Sequence, residues 1–496
     1  MYLLGYDIGS SSVKAALVDS TTGKTLAIAQ HPEREMDIAA PRPDWAEQSP
    51  ADWWDAACVA TKKLLEKTSV KPSDIAAIGI SYQMHGLVVV DKNGDVLRPS
   101  IIWCDSRAVG IGNRAFEKIG EKYCLEHYLN SPGNFTASKL RWVRENEPDV
   151  FSKIDKIMLP GDYLAYRMTG EIRSSVTGLS EGVFWDFKEN SLAKRLLEHY
   201  EIPSKMLPDI APGFSVQGKM TSEAAAALGL APGIPVGYRA GDQPNNALSL
   251  NVLRPGEVAA TGGTSGVVYA VAGQPMFDPE QRVNSFAHVN YTPENPLTGI
   301  LLCINGSGSQ YRWMRQHIGD PGLSYQEMEQ LAASAGIGAD GVSILPFGNG
   351  AERMLGNRVV GSRIAGLNFN RHEKRHLYRA ALEGIAFSFV YGMEALRDMG
   401  IPVKILRAGN DNLFQSAIFS NTIATLVGAE IELIATTGAV GAAKAAGVSV
   451  GIYKSVEEAM ENVEVAGKYE PGREKEPHQE AYERWKQELE DVQLSH

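Results

Sequence analysis

An α/β architecture built from two related halves is what this sequence predicts, and three observations carry the prediction. Strand-like apolar runs alternate with helical stretches along the chain. Its 496 residues suggest two or more domains. And DIGSSSVKAALV, at 7–18, has an echo in TGGTSGVVYAVA, at 261–272. Gly9, Ser10 and Ser11 align with Gly263, Thr264 and Ser265, and Val13 aligns with Val267. In both copies a small hydroxyl-bearing turn separates two apolar strands.

The elements follow in order. LLGYDIG, VKAALVD and KTLAIAQ read as a short antiparallel meander. A helix is expected over 49–67, with Ser49 as its cap and Pro50 in the first turn. Trp54, Ala57, Cys58, Leu64 and Leu65 share one stripe of it, which makes Cys58 a core residue. IAAIGIS is a buried strand, and LVVVDKNGDVL a hairpin turning at Asn93-Gly94. LAKRLLEHY is helical, and IPVGYRA is a strand that gives way to a helix at Asp242. A long helix runs from about Arg371 to Met399, and the charged tail from Glu470 is expected as an exposed helix.

Bulk composition excludes several roles. With 44% hydrophobic and 22% charged residues the chain has ample core for a globular protein. A net charge of −11 argues against nucleic-acid binding driven by bulk charge, while leaving a local anion site open. The four cysteines, Cys58, Cys104, Cys124 and Cys303, show no CxxC and no paired spacing. That is the pattern of reduced thiols in a cytoplasmic protein. No basic leader opens the chain, and no apolar run approaches the roughly 20 residues of a membrane helix.

The two echoed turns invite a phosphate chain, because backbone N–H groups in a tight glycine turn form an anion-binding concavity. Neither is a P-loop or a dinucleotide fingerprint. Asp242 begins its helix at the end of an apolar strand. It is either an N-cap or a carboxylate that accepts a proton, and the second turn some twenty residues later favours the proton acceptor. Asp7 is either a turn former or a ligand for Mg²⁺, which takes one or two carboxylates beside phosphate.

Three further segments carry polar chemistry. QMHG, at 83–86, lies between two apolar strands. In IIWCDSR, at 101–107, an extended backbone would put Trp103, Asp105 and Arg107 on one face. That face suits a polyhydroxylated ligand, and equally a salt bridge beside a core tryptophan. AGNDNLF, at 408–414, is a glycine turn ahead of a helix, serving a nucleotide or only the turn. The small residues of TTGAVGAAKAAG, at 436–447, are expected to serve close helix packing, with no ligand role.

Together these pieces resemble the FGGY family of carbohydrate kinases, from DIGSSSVK to about Gly447. SPGNFTASKLRWVREN, at 131–146, resembles the first family signature around Lys139 and Trp142, with Asn134 departing from its usual first residue. SRIAGLNFNRHEKRHLYRAALE, at 362–383, resembles the second, from Ser362 through Gly366, His376 and Ala380 to Glu383. RPDWAEQSPADWW, QMHG, WCDSR and AGDQPNNA are similar to the branch of the family that acts on D-xylulose. Glycerol-acting members differ at QMHG.

The resemblance implies two ribonuclease H-like domains of the actin-like ATPase superfamily, closing on an interdomain cleft. Residues 1–249 would bind a small sugar, and 250–496 the nucleotide, ending in a helical tail. ATP and Mg²⁺ are the implied cofactors. Asp242 is implied as catalytic base, Met84 and His85 as substrate contacts, with Trp103 and Asp105 beside the sugar. Asp7 for the metal, Gly9, Ser10 and Ser11, and Gly263 with Thr264, would face the phosphates. Gly308, Arg312 and Gly409 would surround the nucleotide. No nucleic-acid or membrane partner is implied, and a homodimer is allowed. Two departures stand out: AGN replaces a glycine triplet, with Asp411–Leu413 as extra residues, and PFGNGAERMLGN lacks a proline. Two rival readings remain, a kinase for another ketose or polyol such as ribulose, and an actin-like ATPase whose closure is itself the function.

Overall fold

A computed structural model describes residues 1–494. Two sheets form its frame, and both follow one plan. In the first, the strands Tyr2–Ile8, Val13–Asp19 and Thr25–His31 run antiparallel as expected. Ile75–Tyr82 joins Tyr2–Ile8 in parallel, Pro235–Gly241 joins Ile75–Tyr82 in parallel, and Gly218–Lys219 closes that edge. In the second, Glu257–Gly262, Gly266–Ala272 and Thr298–Ile304 are the antiparallel meander. Ile405–Gly409 and Glu430–Ile434 then add in parallel, with Asn284–Ala287 and Val465–Tyr469 at the outer edges. The repeated turn in the sequence therefore marks a repeated topology.

The parallel strands are mostly apolar because helices cover the faces of each sheet. Pro50–Glu66 covers one face of the first sheet, burying Trp53, Trp54, Ala57, Ala60 and Leu64. Its Pro50 opens the helix, but Ser49 makes no side-chain capping bond, so the expected cap is not formed. Cys58 lies half-buried at the edge of this core.

The other face carries the small-residue helix Gly438–Ser449. Its alanines let two backbones nearly touch: a Cβ on Gly5 would come 1.9 Å from the carbonyl oxygen of Ala439, and one on Gly79 2.0 Å from that of Ala442. No residue but glycine fits there. The two halves are therefore interlocked in packing. The helix is made by the second half of the chain yet packs on the sheet of the first.

The spine of the second half is Lys374–Asp398, with His376, Tyr378 and most of its later residues buried. The tail helix, Lys475–Leu494, also departs from expectation. Its outer face is charged, but Ala481, Tyr482, Trp485, Leu489 and Val492 are buried against that spine. Trp485 is completely enclosed and its indole N–H donates to the carbonyl of Ile344 at 3.0 Å. Its apolar residues recur at helical spacing among charges, and that stripe outweighs the high overall polarity.

Candidate active site

Where the first sheet's strands end, the first hairpin presents a turn to a cavity of about 250 Å³. Asp7, Gly9, Ser10, Ser11, Lys14, Gln83, Trp103 and Asp242 line it. Asp7 and Lys14 are direct cross-strand neighbours, so both side chains leave the sheet on one side. The turn is closed by the Gly9 N–H donating to Ser12 O at 3.0 Å. It is braced from behind by Gln48, whose Nε2 donates to Ser10 O at 2.7 Å. The Gln48 Oε1 in turn accepts from Trp53 and Gln83, each at 3.1 Å.

Asp242 opens the helix Asp242–Ser249 directly after the strand Pro235–Gly241. Burial pushes its carboxyl up to about 7, with the charge of Asp7 adding to the shift and hydrogen bonds from Gln243 opposing it. Asp7 is also raised by burial, against a hydrogen bond from Ser81 and the charge of Lys14. The N-terminus of the crossing helix abuts it: a Cβ on Gly438 would lie 2.8 Å from the Asp7 carboxylate. Two neighbouring carboxylates that each resist ionisation fit a divalent cation. No group of three or more metal-binding side chains exists among the described residues.

The second hairpin faces a larger cavity of about 640 Å³, bounded on one side by Gly263, Thr264, Gly308 and Arg312. Here the brace is a helix. The N–H groups of Gly308 and Ser309, at the start of Gly308–His317, donate to Gly263 O and Thr264 O at 2.9 and 3.1 Å. Glu329, Asn412, Leu413, Gln415 and Ser416 also line the cavity. Gly409 is not part of it, which corrects that expectation. It ends a strand behind the wall, where a Cβ would meet the Asp411 carboxylate at 2.7 Å. The extra residues after AGN form the wall instead: Asn412 accepts from the Gly262 N–H at 3.2 Å.

The sugar-side expectations divide. Residues 103–107 do not stay extended, because the strand ends at Ile101 and turns follow. Trp103 stands on the cavity wall, 52% exposed, while Asp105 is completely buried. The Asp105 carboxylate accepts from the Ala46 N–H at 2.6 Å and pairs with Arg107, whose guanidinium lies 3.8 Å from the Trp45 ring centroid. Asp105 thus shapes the segment that carries Trp103 and does not reach the cavity itself. Met84 is likewise corrected: at 4% exposure its side chain packs beneath the site, against Gly241.

His85 is half-buried, with its ring against Phe135 and Phe286. Burial drives its pKa down to about 3, the charge of Lys139 adding to the effect, so the ring is neutral. Lys139 of the first signature is itself buried, and its Nζ donates to the carbonyls of His85 and Ile102, both at 2.9 Å. It clips together the two segments that carry His85 and Trp103. Lys14, Gln83 and Glu181 are site residues that the sequence reading passed over. For Lys14 a signal existed in the strand pairing, six residues beyond the hairpin's other arm.

Family models match this arrangement along most of the chain. The N-terminal domain of the FGGY family of carbohydrate kinases matches residues 2–249, and the C-terminal domain matches 258–450. The chain belongs to the FGGY family. This FGGY kinase is 29% identical over 500 residues to the xylulose kinase of Escherichia coli strain K12, covering 99% of each chain. It is 31% identical over 401 residues to that of Klebsiella pneumoniae, covering 81% of this chain and 80% of the relative. The crystal structure of xylulose kinase from Rhodospirillum rubrum superposes with a TM-score of 0.88 at 28% identity, covering 99% of both chains. The fold is thus the two-domain actin-like ATPase fold of these kinases. The activity class is phosphoryl transfer from ATP to a sugar alcohol group.

Proposed function

We propose that this kinase phosphorylates D-xylulose at its terminal O5, giving D-xylulose 5-phosphate. The observation that carries the reading is that Asp242, the phosphate-facing turn and the exposed face of Trp103 share one cavity. The sugar's C–H face lies on the Trp103 indole, and a hydroxyl meets the His85 ring. Asp242 orients O5 and accepts its proton as the bond to phosphorus forms. The turns at Gly9–Ser11 and Gly263–Thr264 hold the phosphates through backbone N–H groups, and Lys14 adds a positive charge beside Asp7. Asp7 holds Mg²⁺, which supplies charge neutralisation on the phosphates when bound. Most of the acceleration then comes from positioning and charge, since there is little covalent work for the protein. Residues 1–249 contribute the sugar side and the second sheet the nucleotide side. A cytoplasmic setting agrees with four cysteines, none of which is paired.

A coupled ADP-release screen over pentuloses, hexuloses and polyols tests the substrate. D-xylulose is expected to give the highest kcat/KM. Strong turnover of another acceptor beside weak turnover of xylulose would replace it. ATP hydrolysis indifferent to every sugar would point to an ATPase whose closure is its function.

A further inference from the structure

Glu181 is a fully buried carboxyl to which the mechanism above gives no role. It ends the short helix Val176–Glu181, in the segment between the two signatures. Two of its oxygens hold His85. The side-chain Oε1 accepts from the His85 backbone N–H at 3.3 Å, and the main-chain oxygen lies 2.9 Å from Nδ1 of the ring. The third, Oε2, has no hydrogen-bond partner and lies against the next strand: a Cβ on Gly241 would come 2.3 Å from it and 2.5 Å from Met84 Cγ. Gly241 immediately precedes Asp242. One residue therefore braces both the sugar-side histidine and the end of the strand that delivers the base.

The bracing has a chemical consequence. His85 sits at φ 62°, in the left-handed region that residues with a side chain adopt only uncommonly. Its N–H is held by Glu181 and its carbonyl by Lys139, so the backbone cannot relax. A main-chain oxygen can only accept, so the ring proton is on Nδ1. Nε2 is then a bare lone pair. It has no protein partner among the described residues and is not an enclosed atom. Such a lone pair accepts from an O–H and repels a carbonyl oxygen.

We propose that Glu181 is a specificity-determining positioning residue, which locks His85 so that its bare Nε2 admits a sugar hydroxyl and refuses a carbonyl oxygen at that point. A ketose is thereby bound in one direction, its C=O away from His85. Burial, with the Asp242 charge adding, holds the Glu181 carboxyl well above the usual carboxylate range, so a neutral amide is its close substitute. The proposal rests on the sugar-kinase reading of the site, though not on which ketose is preferred.

The experiment compares Glu181→Ala and Glu181→Gln with the wild type, using whichever acceptor the wild type turns over best. Loss of one buried hydrogen bond predicts a rise in acceptor KM of roughly 5- to 100-fold in Glu181→Ala. The ATP KM should stay constant and kcat fall by less than that rise. Glu181→Gln, which keeps the Oε1 acceptor, should restore the acceptor KM to near the wild-type value. An unchanged KM in Glu181→Ala, or a Glu181→Gln enzyme as impaired as Glu181→Ala, would overturn the proposal. Because Glu181→Ala can lose its fold, the histidine ¹⁵N spectrum of the wild type gives a second reading. His85 should show protonated Nδ1 and bare Nε2, and a proton on Nε2 would also overturn it. That spectrum needs no turnover, so its outcome stands apart from the acceptor screen.

Discussion

The two hairpins share a backbone plan and differ in chemistry. In the first, the cross-strand pair at the mouth is Asp7 and Lys14; in the second, the matching pair is Thr261 and Val267. The first turn is braced by side chains, Gln48 above all, and the second by the N–H groups of a helix. The first opens on about 250 Å³ with two carboxylates and a lysine, the second on about 640 Å³ where Arg312 and Glu329 supply the charge and the hairpin itself none. One fold unit, repeated, carries a charged cross-strand pair in one copy and an uncharged pair in the other. The helix Asp242–Ser249, which follows the first sheet, also leans on the opposite half: Asn246 reaches Thr261 at 3.3 Å, and Asn245 reaches the carbonyl of Gly438 at 2.9 Å. One helix thus ties the two halves together beside both turns.

If the charged copy performs the chemistry, Asp242→Asn should show the largest effect, a loss of about 10³-fold in kcat with ATP binding retained. Near-normal turnover in that variant would sink the assignment of the base. The asymmetry itself is tested by Asp7→Asn against Thr261→Val. The first should cost about 10²-fold in kcat/KM and raise the Mg²⁺ requirement, whereas the second should cost less than about 3-fold. Equal effects would show that the copies are chemically equivalent after all.

A subtler probe is Gly438→Ala, which adds a methyl 2.8 Å from the Asp7 carboxylate and must displace it. Steady-state kinetics should show about a 10-fold loss, comparable to about 1.4 kcal/mol, with the ATP KM nearly constant. The smallest effect is on pH. With Asp242 at about 7 in the free enzyme, kcat/KM should fall as pH drops through 7, tracking protonation of the base. The stability effect has the opposite sense. Because the folded-state value is raised above 3.8, the folded protein favours the protonated carboxyl, and that contribution is lost as pH rises through about 7. Asp242→Asn should therefore raise Tm most at pH 8 and leave it nearly unchanged near pH 4.

Much of the site was legible because its local geometry is local in sequence. Asp7 with Gly9–Ser11, and Gly263 with Thr264, are hairpin mouths, and strand pairing places such residues without help from the rest of the chain. Asp242 was legible for the same reason, at a strand-to-helix junction. The misreadings share a different cause. An extended segment would put Trp103 and Asp105 on one face. A turn held by Arg107 and Ala46 sends one to the cavity and the other inside. Asn412 and not Gly409 lines the larger cavity because a short insertion decides which residue reaches a wall, and insertions have no periodicity to read.

What the sequence alone determined is the repeated α/β plan, its two hydroxyl-bearing glycine turns and the position of Asp242 at a strand-to-helix junction, since each follows from patterns of period two or 3.6 and from turn chemistry. What only the tertiary structure decided is every contact between distant parts of the chain. The crossing of Gly438–Ser449 onto the first sheet, the burial of the tail helix and the grip of Glu181 and Lys139 on His85 all join residues far apart in the chain. Such contacts arise from packing distant segments together, and close packing is set by shape and by which polar groups must be satisfied when water leaves, neither of which is written at any one position.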